Sequence, residues 1–146
     1  MLIAALPQDM RLDIVGASGP DLPRVRWLGP RNDIPELLAA ADLLVVPSRW
    51  EGFGIVAAEG MAAGVPIVAS AVDGLVEVVG DAGVLVPPSD VQSLRAAIES
   101  LRDDPARREF LGARGRARVR ERFHVRDMVA KYEALYRELA DSPKTA

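Results

Sequence analysis

The sequence predicts an α/β domain with a mainly parallel sheet of about five strands and flanking helices, and three observations carry that expectation. Short apolar runs, Leu43 to Pro47 (LLVVP), Pro66 to Ser70 (PIVAS) and Gly83 to Pro87 (GVLVP), are punctuated by glycine and proline, as strands buried on both faces are. Helical patterns lie between these runs, giving the β-α-β alternation of a parallel sheet. The length of 146 residues, 49% of them hydrophobic, suits one domain with its own core.

The elements follow in order. MLIAAL starts in mid-hydrophobic pattern without a capping residue, and we expect the last turns of a helix whose beginning is missing. Strands are expected over Arg11 to Gly16 and Val25 to Leu28. The nine residues between Val15 and Val25 fall short of the dozen or so that a helical crossover usually needs, so a loop or single turn is expected there. Gly29 and Pro30 end the second strand, and Asn32 or Asp33 can cap a helix from Ile34 to Ala41 with Pro35 in its first turn. A helix from Ile55 to Ala63 follows the strand at Leu43 to Pro47, and Leu75 to Val79 offers one helical turn. Ser89 or Asp90 caps a helix from Val91 to Leu101, and Asp103, Asp104 and Pro105 start another to about Phe123. The last helix, Arg126 to Leu139, carries Val125, Met128, Val129, Tyr132, Leu135, Tyr136 and Leu139 as an apolar stripe, expected to pack mostly on the sheet of its own domain.

Composition excludes several functions. With no cysteine and one histidine the chain has no disulfide frame, no thiolate metal site and no zinc cluster. A net charge of −3 gives no reason to expect nucleic acid, and no apolar run approaches the ~20 residues that span a bilayer. MLIAALPQDM lacks the basic start and small-residue cleavage pattern of a signal peptide, and the chain reads as soluble. Eight arginines fall between Arg107 and Arg126, interrupted by Glu109 and Glu121. Few aromatic residues accompany them, so a solvated helix face is expected rather than a polyanion site. His124 is expected to be an ordinary junction side chain.

The stretch EGFGIVAAEGMAAGVPIVAS, Glu51 to Ser70, holds the candidate site. Its two carboxylates stand eight residues apart around a glycine turn that opens an almost wholly apolar helix. Glu59 is the one polar residue of that helix and is expected to be buried, where an unbonded polar group costs roughly 2–7 kcal/mol and so needs a donor. A ribose diol offers two hydroxyls at matching separation, while a nearby arginine such as Arg49 or an internal cap would serve equally. Gly52 and Gly54 let the backbone approach a ligand and leave the N–H groups of Phe53 to Val56 at a helix start, which favours anions; an ordinary turn with a solvated Glu51 is the alternative.

The run PSRWEGFGIVAAEGMAAGVPIVAS resembles the E-x7-E signature of family-4 retaining glycosyltransferases (glycosyl transferases group 1), which have the GT-B fold. The likeness extends from LDIVGASGP through VRWLGPRNDIPELLAAADLLVVPS to DGLVEVV, GVLVPPSD and the helical tail, nearly the whole chain. It implies a Rossmann-like, N-terminally truncated, donor-binding C-terminal domain over residues 1–146, half of a GT-B fold. By resemblance Glu59 would hold the ribose hydroxyls and Glu51 would act catalytically at the transferred sugar. Gly52, Phe53, Gly54 and Ile55 would line the sugar and diphosphate, and Gly16, Gly29 and Arg31 would lie near the phosphates and base. Glu77 matches an acidic position of the family, with Asp73 in place of a glycine, and is assigned a structural role.

The family transfers a sugar from a nucleotide donor to an acceptor hydroxyl with retention, typically without a divalent metal, and the absence of a D-x-D motif agrees. The partners implied are a nucleotide sugar and a missing N-terminal acceptor domain, with no nucleic acid. The first strand of the domain and the Arg and Lys that steady the leaving diphosphate are not found in this sequence. The isolated chain is therefore expected to be inactive and, with an open sheet, to form homo-oligomers. The family implies a cytoplasmic setting, with peripheral attachment at the inner membrane face as an alternative. The functional alternative is a non-catalytic nucleotide-sugar-binding module, or one that completes a two-chain enzyme.

Overall fold

The computed structural model describes residues 2–141. Its elements are α1 (Leu2–Ala5), β1 (Leu12–Val15), β2 (Val25–Gly29), α2 (Ile34–Ala39), β3 (Leu44–Val46), α3 (Ile55–Ala63), β4 (Ile67–Ser70), α4 (Asp73–Val79), β5 (Val84–Val86), α5 (Val91–Arg102), α6 (Pro105–Arg122) and α7 (Val125–Asp141). Every pairing between these strands is parallel, as expected. The five strands fall into two sheets, β1–β2 and β3–β4–β5, with Leu12 opposite Val25, Leu44 opposite Ile67 and Val68 opposite Val84.

β4 is the middle strand of the larger sheet and all four of its residues are buried. Alternate side chains of a strand point to opposite faces, and the core divides accordingly. Ile67 and Ala69 pack with Ala57 and Met61 of α3 and Leu75, Val78 and Val79 of α4. Val68 packs on the other face with Leu94, Ile98 and Leu101 of α5 and Leu111 of α6. The result is a helix–sheet–helix sandwich in which losing a fully buried side chain such as Ile67 to alanine would cost about 2–5 kcal/mol.

The nine-residue connection between β1 and β2 contains no helix. It is pinned instead by Trp27, whose Nε1 donates to the Pro20 carbonyl at 2.8 Å while its ring fills the place of a side chain on Gly19. Across the pair, Arg26 binds the Asp13 carboxylate and holds its pKa below the usual value. Asp90 caps α5, accepting from the Gln92 and Ser93 amides at 3.0 Å each, and His124 Nδ1 accepts from the Arg126 amide at the start of α7.

Three expectations need correction. α4 runs for two turns, because Asp73 and Gly74 join the helix ahead of Leu75. The α6 arginines are not simply a solvated face: Arg108, Arg116 and Arg118 donate to backbone carbonyls, and Arg114 pairs with Asp81. The α7 stripe does not pack on the sheet. Its seven apolar residues are between 45 and 65% exposed, because α7 leads away from the core after Phe123.

Among the described residues β1 and β3 each keep one edge without a strand partner. The residues leading into them, Asp9, Met10, Arg11, Asp42 and Leu43, line one cavity of about 450 Å³ together with Arg102 and Arg108. No helix among the described residues is long and apolar enough to cross a membrane. Open edges and an uncovered apolar helix are templates for association. Sedimentation velocity over a micromolar range is expected to show concentration-dependent self-association; a single monomer with a cooperative high-temperature melt would contradict it.

Candidate functional site

Parallel pairing aims β1 and β2 the same way, and likewise β3, β4 and β5, so within each sheet the loops that follow the strands collect at its carboxyl edge. Gly16 follows β1, Gly29 ends β2 with Arg31 just beyond, and Glu51 to Gly54 lie between β3 and α3. In doubly wound sheets this carboxyl edge is where ligands bind. Gly16 and Gly29 both have positive φ, 79° and 60°, and the Gly16 amide donates to the Gly29 carbonyl at 2.8 Å, joining the ends of β1 and β2. Arg31 forms a two-point ion pair with Asp33, which holds that carboxyl below its usual pKa. Asp33 thus stands at the start of α2 without capping it by its side chain.

The turn before α3 depends on close backbone contacts. Gly54 is the N-cap at φ 92° and ψ 51°, and no side chain caps the helix. The first helical amide bond is Ala58 N–H to Gly54 O at 3.1 Å, so the amides of Ile55, Val56 and Ala57 point out of the helix without intrahelical partners. The Glu51 side chain lies back over Gly54, its Cγ 3.6 Å from where a Cβ would stand. The Glu51 and Gly52 carbonyl oxygens are each 2.7 Å from the position of a Cβ on Gly74, so this loop rests directly on the first turn of α4. Phe53 turns its ring edge-on to Phe123, with centroids 5.4 Å apart.

Glu59 stands otherwise than expected. It is exposed, as are Ile55 (66%) and Val56 (53%), while Ala57, Gly60 and Met61 carry the buried face. An almost entirely apolar sequence misleads here, because α3 is covered on one side only. The cost of burying a carboxylate therefore does not apply, and no ion pair joins Glu59 to Arg49 among the described residues. What the structure does place together is Glu51, the open amides of α3, and an uncovered helix face with Glu59 one turn beyond Ile55.

Sequence reasoning missed Gly74 and the second turn of α4. The signal available was a glycine one residue into a helix start, where only close approach of another backbone explains it.

The model of the family described as "Glycosyl transferases group 1" matches residues 2–104, and the chain belongs to that family. It is 48% identical over 100 residues to the O-antigen chain mannosyltransferase B of Escherichia coli, covering 66% of this chain and 26% of that protein. Sucrose-phosphate synthase from Thermosynechococcus elongatus superposes with a TM-score of 0.84 at 36% identity, over 96% of this chain and 41% of that one. Anabaena Alr3699/HepE in complex with UDP superposes with a TM-score of 0.80 at 28% identity, over 96% of this chain and 43% of that one; the same Anabaena protein is also known in complex with UDP-glucose. The chain spans about a quarter to a third of the length of the curated relatives it matches.

Gly74→Ala is expected to push the Glu51–Gly52 backbone off α4 and destabilise the chain by about 1–3 kcal/mol, the usual range for overpacking. Urea unfolding measures this, and unchanged stability would show that the loop does not rest on α4.

Proposed function

We propose that the chain is the donor-binding half of a retaining glycosyltransferase that transfers a sugar from a nucleotide donor to an acceptor hydroxyl. The observation that carries this is the uncapped start of α3, its amides open beside Glu51 and its exposed face presenting Glu59, in a chain of this family. A helix start offers free N–H donors and the positive end of the dipole, which suit a diphosphate. In this reading the amides of Gly52 to Ile55 line the diphosphate and sugar, Glu51 accepts from hydroxyls of the transferred sugar, and Glu59 accepts from the ribose diol. Gly16 and the turn Gly29 to Arg31 border the phosphates and the base, and Arg31, steadied by Asp33, is their cation.

Charge accumulates on the departing diphosphate as the sugar–oxygen bond breaks, and preorganised amides stabilise it most where water is excluded. The acceptor site, and the remaining cations for the leaving group, belong in this reading to an N-terminal domain absent from the chain. The chain alone then transfers no sugar, needs no metal to bind its donor, and works in the cytoplasm. The unpartnered edges of β1 and β3 favour a second reading, in which a separate chain completes the enzyme.

Glu59→Gln tests the assignment. Hydrogen bonds to a charged acceptor contribute about 1.5–3 kcal/mol, so UDP-glucose affinity measured by calorimetry is expected to fall roughly ten- to hundredfold with the fold intact. Equal affinity of variant and parent would leave Glu59 without a role in the donor.

A further inference from the structure

Helix α6 holds α3 and α4 from behind, by a device used twice. α3 ends at Gly64 (φ 81°) and α4 at Gly80 (φ 52°), and at each a guanidinium occupies the space a side chain would fill. Arg116 Nη2 lies 2.4 Å from the Cβ position of Gly64 and donates to the Ala63 carbonyl at 2.6 Å. Arg118 Cζ lies 2.6 Å from that of Gly80, and the same guanidinium donates from Nε to the Val78 carbonyl at 2.8 Å and from Nη2 to the Glu77 carbonyl at 2.7 Å. Two glycines on α6 bring the helices close enough: a Cβ on Gly112 would stand 2.2 Å from the Gly64 carbonyl oxygen, and one on Gly115 would stand 3.3 Å from Met61 Cγ. Residues two apart on a helix diverge by about 200°, so the two arginines reach to opposite sides of α6.

We infer that Arg116 and Arg118 are positioning residues for nucleotide binding, clamping by their last carbonyls the two helices whose first turns meet at the Glu51–Gly54 loop. This rests on the donor-binding function proposed above. The last carbonyls of a helix have no partner within it, and a cation there satisfies them and complements the dipole. α3 is nine residues long, about 13 Å, so a tilt of about 5° at its end moves its first amides by about 1 Å. α4 carries the same error to the loop through Gly74. The two contacts differ in kind: Arg116 gives one donor, which a lysine can replace, whereas Arg118 grips two carbonyls at once, which a lysine cannot reproduce.

The test is UDP binding to this chain by calorimetry, with a thermal melt of each variant. Arg116→Met, Arg118→Met and Arg118→Lys are expected to bind UDP about five- to tenfold more weakly. Arg116→Lys, and the control Arg120→Met on the same helix, should bind as the parent does. Arg118→Lys binding like the parent overturns the inference, as do affinities that track melting temperature alike in every variant, the control included. Should the Arg118 variants not fold, Arg116→Met and Arg116→Lys carry the test, and equal parental affinity in both overturns it. A parent chain that does not bind UDP removes the donor-binding function, and this inference with it.

Discussion

The structure depends on the parallel pairing of β3, β4 and β5. Because these strands run the same way, the chain returns through α3 and α4 between them, and both helices must start at the carboxyl edge of the sheet and end at the other. One directional constraint therefore assembles the site and separates it from its supports. The open amides of α3, Glu51 and the glycine turn at Gly52 and Gly54 lie at one edge. The orphan carbonyls of the same helices lie at the other, where Arg116 and Arg118 meet them.

Glycine is what lets the two edges communicate. Gly74 admits the Glu51–Gly52 backbone onto α4, Gly60 admits the Leu44 side chain under α3, and Gly112 seats α6 against the Gly64 carbonyl. Each contact is backbone or branched side chain within about 3 Å of the missing Cβ, so a methyl group at any of them must displace a neighbour. The site is thus fixed by backbone packing more than by polar side chains.

Much of this was legible in the sequence. The apolar runs at LLVVP, PIVAS and GVLVP gave their strands to within a residue or two, and Asp90 and Pro105 marked helix starts, because these signals are local. Glu59 was misjudged because an apolar helix gives no sign of which face is covered, and α3 leaves Ile55 and Val56 in solvent. Arg116 and Arg118 of α6 escape a sequence reading for a different reason: their partners are carbonyls 40 to 53 residues away, and no local pattern predicts a guanidinium on the end of another helix. The separation of β1 from β3 depends on which edges find partners, and spacing along the chain does not report that.

The central claim is that a nucleotide diphosphate binds at the carboxyl edge, against the first turn of α3. Mapping amide chemical shifts of the ¹⁵N-labelled chain as UDP is added tests it most directly. The account predicts the largest shifts at residues 52–57, smaller ones at Gly16, Gly29 and Gly74, and none at the cavity between the amino ends of β1 and β3. Shifts centred instead on Asp9, Met10, Arg11, Asp42 and Leu43, or no saturable shifts at all, would contradict it.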